Sequence, residues 1–264
     1  MPEIEHEAFI DASRHQLIVN GANVKAAGFT GILARCTIGW SYVDPFYEQN
    51  YRIALENDLW FGAYHVTWPI NRAPEREAQW FVDHLIPQGQ SQEPKYTAID
   101  SELGTKYHES GHHLVSGNEI IQMTIEECNQ VQLKTNKLPW IYTARWFWNS
   151  NKLKPFIGQG ETAYPLHIAN YPWSTPPRDV GIDPTLKYNV YPLIADPWSE
   201  EQLIAWQWTS KWPHQQQLAQ SHGLDANIFW NKYTEPGEPP VVQPPVPIKI
   251  TYPTGKAIVT IEEV

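Results

Sequence analysis

The sequence predicts an α/β fold: an irregular TIM-like β/α barrel, with some helices missing in its second half and a short C-terminal β tail. Three observations predict it. Short apolar runs alternate with helical patterns, as βα units do; acidic residues stand where several of those runs end; and 264 residues is the length of one such barrel, typically ~250 residues.

Taken in order, Phe9-Ile10 is the first strand signal and ends at Asp11, and Gly31 to Cys36 is the second. Asp44-Pro45 ahead of the run Phe46 to Leu59 reads as an N-cap followed by proline in the first helical turn, so Asp44 is read as a cap rather than a catalyst. Phe61 to Val66 is a third strand. After it, Ala78, Phe81, Val82 and Leu85 recur at i, i+3, i+4 and i+7. Pro74 opens that helix, and Glu75 and Glu77 complement its dipole. Tyr96 to Asp100 is a strand, and Ile121, Ile125 and Cys128 mark another helix. Trp140 to Tyr142, Leu166 to Ala169 and Ile204 to Trp208 complete seven strands, with Val190 to Ala195 a candidate eighth. Residues 151 to 200 are rich in Pro, Tyr and Trp with little periodicity, so helices are expected to be missing there.

The catalytic unit is expected to span residues 1–234, since Glu235 to Pro247 carries six prolines and predicts an extended linker. Residues 248–264 form a hairpin-like tail too small to stand alone. It is expected to dock on the barrel, to self-associate, or to attach to a larger particle.

Lys and Arg number 19 against 29 Asp and Glu, a net charge of -10, which argues against nucleic acid or an anionic membrane as partner. Thirteen Trp and 13 Tyr are a heavy aromatic load, of which core packing must claim at least half, and aromatic faces commonly hold sugar rings. Cys36 and Cys128 form no disulfide framework and are expected as buried thiols. Neither a secretory signal nor a membrane span is read, so synthesis in the cytoplasm without a signal peptide is expected. His108, His112 and His113 lack an HExxH pattern or cysteine partners, so no metal and no cofactor is expected.

Asp100 and Glu102 carry the chemistry. Alternate residues of a strand share a face, so both carboxylates point the same way, about 7 Å apart at Cα. Crowded acids split their proton affinities, leaving one as donor and one as anion, the division of labour that glycoside hydrolysis uses. In a β/α barrel, acids ending separate strands converge at one mouth, which brings in Asp11 and, after the last strand, Asp225.

In these motifs the chain resembles glycoside hydrolase family 25, the lysozymes of many bacteriophages and bacteria. The resemblance runs through Ile10-Asp-Ala-Ser13, Gly31 to Gly39 with Tyr42-Val-Asp44, Gly62-Ala-Tyr-His65, Asp100-Ser-Glu102, Ile141-Tyr-Thr143, Ile168-Ala-Asn-Tyr171, Trp206-Gln-Trp-Thr-Ser210 and Leu224-Asp-Ala-Asn227. It implies a muramidase that cuts the β-1,4 bond between N-acetylmuramic acid and N-acetylglucosamine in bacterial peptidoglycan. The biological setting it implies is a phage or prophage endolysin, released through a pore or carried in a virion. The alternative is a non-catalytic wall-binding or virion structural module on the same barrel. Glu102 becomes the proton donor, its pKa lifted by burial or by an anion that Asp100 is placed to supply; Asp100 is also suited to orient the substrate's acetamido group. Asp11 and Asp225 would stabilise positive charge or position water, and Tyr64, Tyr142, Tyr171 and Trp206 would contact sugars. His65, on the opposite strand face from Tyr64, is expected as a packing histidine. Two positions depart from the family pattern: Ile38 stands where a glutamate is usual, and His167 where a tryptophan is usual.

Overall fold

A sheet that alternates inward and outward side chains can close on itself, filling its lumen with one set and covering the other with helices. The computed structural model describes residues 6–230 apart from 18, 103–114, 151, 180, 214–217 and 220–222. Its strands are β1 His6–Ala12, β2 Gly31–Ile38, β3 Tyr42–Val43, β4 Trp60–Val66, β5 Tyr96–Asp100, β6 Trp140–Ala144, β7 Leu166–Ala169, β8 Leu203–Thr209 and β9 Asp225–Trp230. Neighbours run β1-β9-β8-β7-β6-β5-β4-β2, and β1 pairs with β2 to close the ring, while β3 folds back on β2 as a small antiparallel flap.

Seven barrel strands run parallel, whereas β9 is antiparallel to both β8 and β1. This corrects two sequence expectations. Val190 to Ala195 is not a strand: its backbone is irregular, and the Leu193 amide and Ile194 carbonyl bond the side chains of Asn170 and Arg145 in place of a sheet neighbour. The eighth strand is Asp225–Trp230, and Asp225 opens it rather than following the last strand. An antiparallel strand begins where its parallel neighbours end, so Asp225 still lies at the mouth, opposite Asp11 in register.

The lumen is aromatic. Phe9, Leu33, Ala98, Trp140 and Phe229 pack there with Trp60, Tyr64 and Tyr96, and the Trp140 and Phe229 rings stack at 5.5 Å. Gly31 is required by this packing, since a Cβ on it would sit 2.0 Å from the Trp60 indole.

Helices cover the first half of the ring: α1 Gly21–Ala26, α2 Tyr47–Glu56, α3 Pro74–His84 and α4 Gly117–Thr135. Helix α3 begins at Pro74 as predicted, and α4 is closed at its start by a capping box between Ser116 and Glu119. The second half has only α5 Arg145–Trp148 and α6 Pro184–Tyr188 among the described residues, so the expected loss of helices there is observed. Buried tryptophans take their place: Trp148 and Trp198 lie 5.0 Å apart, and the Trp198 indole donates to the Tyr164 carbonyl at 2.9 Å. Cys36 and Cys128 are both buried free thiols. No helix among the described residues is long and apolar enough to cross a membrane. The linker, the tail and His108, His112 and His113 lie outside the described residues.

Candidate active site

Strand parity places the site. Inward positions at the C-terminal ends of the parallel strands are Asp11 on β1, Arg35 on β2, Tyr64 on β4, Asp100 on β5, Tyr142 on β6 and Gln207 on β8; Asp225 joins them at the start of β9. Alternation continues one step past β5, where Ser101 turns outward to bond the Thr124 hydroxyl at 2.8 Å and Glu102 faces the cleft again. All four acids, Asp11, Asp100, Glu102 and Asp225, therefore line one cavity of about 320 Å³. A second cavity of about 530 Å³ shares Asp100, Glu102, His15 and Arg35 with it and extends over Tyr42, Trp68 and Asn71.

Asp11 is the most tightly held acid. Its Oδ2 accepts from Asn227 Nδ2 at 2.9 Å and from Gln207 Nε2 at 3.1 Å. The Gln207 carbonyl in turn accepts from the Tyr142 hydroxyl at 2.6 Å and the Tyr171 hydroxyl at 2.8 Å. The Asn227 carbonyl accepts from His167 Nε2 at 2.8 Å, so the imidazole carries its hydrogen on that nitrogen. Burial pushes the His167 pKa down to about 4, keeping the ring neutral.

Burial raises the proton affinity of every acid here, and their mutual repulsion adds to it. Glu102 rises to about 7, from burial first and the Asp11 charge second. Asp100 is pushed well up by burial and then by Glu102, and Asp225 by burial and then by Asp11. Asp11 is raised too, by burial, but the hydrogen bonds from Asn227, Asp225 and Gln207 and the Arg35 charge oppose it. Among the four, Asp11 is thus the acid best held as an anion. The sequence expectation was burial or an Asp100 anion as the cause of the Glu102 shift; burial is the larger cause, and the neighbouring charge is that of Asp11, while Asp100 has its own proton affinity raised by burial and by Glu102.

Of the predicted sugar contacts, Tyr64 and Tyr142 line the acid cavity, while Tyr171, 45% exposed, is outside its lining and is tied to it through the bond from its hydroxyl to Gln207. Trp206 does not reach it. Gln207 points inward, so Trp206 points outward; it is fully buried, stacks on Trp230 with centroids 6.5 Å apart, and donates to the Asn170 carbonyl at 2.7 Å. Sequence reasoning missed Gln207 and Asn227 as site residues and marked His167 only as a departure from the family pattern. The available signal was that Gln207 is a polar side chain inside an apolar run, with only Thr209 at the strand's end for company.

Asp44 is not the N-cap expected from the sequence, because α2 starts at Tyr47 with Phe46 in the capping position. One Asp44 oxygen accepts from the Phe46 amide at 3.1 Å, and the other binds Arg35 Nε at 2.8 Å and the Arg14 amide at 2.9 Å. His65 packs outside the lumen as expected, fully buried, with Nδ1 2.8 Å from the Thr37 hydroxyl. With Glu77 and Glu127 it makes a buried trio whose ligand atoms lie within 4.8 Å of one another, the one group with metal-like spacing among the described residues. Glu77 already accepts from the Trp68 amide and the Asn71 side chain, both at 2.8 Å, and Glu127 from Thr67. The trio thus ties α3 and α4 to the loop that walls the larger cavity.

Residues 10–216 match the family model described as glycosyl hydrolases family 25. The uncharacterized protein YegX of Escherichia coli O157:H7 is 28% identical over 175 residues, 64% of this chain and 58% of that protein, so the match spans well under two thirds of the relative. Among solved structures, a family GH25 lysozyme from Aspergillus fumigatus superposes with a TM-score of 0.62 at 22% identity, covering 85% of this chain and 94% of that one. The catalytic domain of an endolysin from a Listeria monocytogenes bacteriophage gives 0.60 at 20% identity, covering 84% and 92%. At these identities the likeness is one of fold.

Proposed function

The chain belongs to glycosyl hydrolase family 25, and from that premise we propose that its acid-lined cleft is a muramidase site, hydrolysing the β-1,4 bond between N-acetylmuramic acid and N-acetylglucosamine in bacterial peptidoglycan. The observation that carries the reading is one cavity in which Glu102 titrates near neutrality, at about 7, beside an Asp11 held by two amide donors. A proton donor and a fixed anion across a sugar-sized cleft are what glycosidic cleavage needs.

In this mechanism Glu102 delivers its proton to the leaving oxygen as the bond breaks. Asp11, anchored by Asn227 and Gln207, stabilises the positive charge that grows at the anomeric carbon until a water molecule adds there and gives its proton to a cleft carboxylate. Asp100 Oδ1 is buried without a hydrogen-bond partner among the described residues, and it is placed to orient the substrate's acetamido group. Tyr64 and Tyr142 line the walls, where aromatic faces suit a sugar ring. A pure wall-binding module is the rival reading, and it leaves the raised Glu102 without a purpose.

Mass spectrometry of fragments from purified peptidoglycan decides between these. Reducing-end muramic acid is the expected product; reducing-end N-acetylglucosamine would mean a different bond is cut, and absence of any release would leave the binding module.

A further inference from the structure

The larger cavity differs in charge from the acid pocket beside it: Arg35, His15, Asp100 and Glu102 line both, but the larger one adds Arg14 and lacks Asp11 and Asp225. Ile38 also lines it, at the position where the family pattern carries a glutamate, so the lobe lacks an anion at that point.

Arg35 is only 7% exposed and pairs with Asp44 through Nε. Its Nη2 lies 2.8 Å from the same Asp44 oxygen but without hydrogen-bond alignment, so donor capacity at that nitrogen is unspent. The Arg14 guanidinium is exposed, 5.9 Å from the Tyr42 ring centroid, and has no ion-pair partner among the described residues. Burial first, and then the charges of Arg35 and Arg14 against that of Asp44, lower the His15 pKa.

We propose that this lobe binds the acidic peptide stem carried by the muramoyl residue, with Arg14 as the carboxylate-contacting group and Arg35 as the buried charge behind it. This rests on the muramidase reading. The glycan itself is uncharged at its N-acetylglucosamine units, so the stem carboxylates are the part of the substrate that a cationic lobe can select. The lobe's volume, about 530 Å³ against about 320 Å³ for the acid pocket, leaves room for a substituent beyond the reacting sugar. Trp68 and Asn71, held from behind by Glu77, form its far wall.

The test compares purified peptidoglycan with the same material after its carboxyl groups have been converted to amides, which removes charge with little change of shape. Wild-type protein should cleave the amidated material with a kcat/KM roughly 10-fold lower, as loss of one charge-assisted contact implies, mostly through KM. Arg14→Gln should erase that preference, and Ile38→Glu should reduce it. As a readout independent of cleavage, titration of a free acidic stem peptide should give chemical-shift changes at Arg14 and Tyr42 that weaken in Arg14→Gln. Equal rates on both materials together with a silent peptide titration would overturn the lobe while leaving the muramidase intact. If neither material is cut, the parent reading falls, and the peptide titration alone decides whether the lobe binds an acidic peptide.

Discussion

A single glutamate sets the pH behaviour expected of the cleft. Glu102 must carry a proton to act as donor, and burial with the Asp11 charge brings its pKa to about 7. The rate should therefore fall as pH rises through about 7, while the acid limb should follow protonation of Asp11, whose pKa is raised by burial from its ordinary value. Glu102→Gln removes the donor and keeps the shape. It should lower kcat by on the order of 10²–10⁴-fold, with the alkaline limb lost from the residual rate. Steady-state rates across pH 4 to 9 check this, and a Glu102→Gln variant with wild-type kcat would remove Glu102 from the mechanism.

Between residue and molecule, the elements that position the cleft differ in how openly the sequence declares them. Tyr96–Asp100 is legible because a short β-rich run ends in an acid, and Pro74–His84 because its apolar period and first-turn proline agree. Strand β8 hides its parity: both faces are buried, so Leu203–Thr209 is almost uniformly apolar and only Gln207 shows which side faces the lumen. Trp206 entered as a sugar contact through the family motif at the strand end, which carries no information on parity. The reversed direction of β9 is illegible for another reason, since the pairing of Asp225 with Asp11 spans nearly the whole described chain and leaves no local mark. Helix α3 also carries a role that no motif announced, because Glu77 holds the Trp68 amide and Asn71 side chain from outside the barrel. Glu77→Ala strips both of their acceptor. It should cost about 2 kcal/mol of stability and raise KM several-fold with kcat nearly kept, because the loop walls the larger cavity and stands apart from Asp11. Denaturant midpoints and Michaelis parameters measure the two effects; a lower midpoint with an unaltered KM would confine Glu77 to the fold.

For the molecule as a whole, the cleft imposes a stability that depends on pH. Asp11, Asp100, Glu102 and Asp225 all have raised proton affinity when folded, and so does Glu127 outside the lumen, burial being the largest cause each time. In the unfolded chain these groups titrate near ~4. Above that pH the native state therefore binds more protons than the unfolded state, and the linkage relation makes stability fall as pH rises through the folded pKa values. His167 works the other way. Its folded pKa of about 4 makes the unfolded chain the better proton binder through the ordinary histidine range, so its contribution grows with pH and levels off only about one unit above 6.5; His15, whose pKa burial also lowers, acts in the same direction. The carboxyls oppose that rise, Glu102 as pH passes through about 7 and Asp100, Asp225 and Glu127, all raised well above the usual carboxylate range, in the same sense. Thermal unfolding should accordingly show a lower midpoint at pH 8 than at pH 6.5. Glu102→Gln, which cannot ionise, should flatten the upper part of that slope while the variant remains folded. A midpoint that holds steady or climbs over this range would mean that the clustered acids lose their protons without strain, and the cleft would then have no store of repulsion from which to tune its donor.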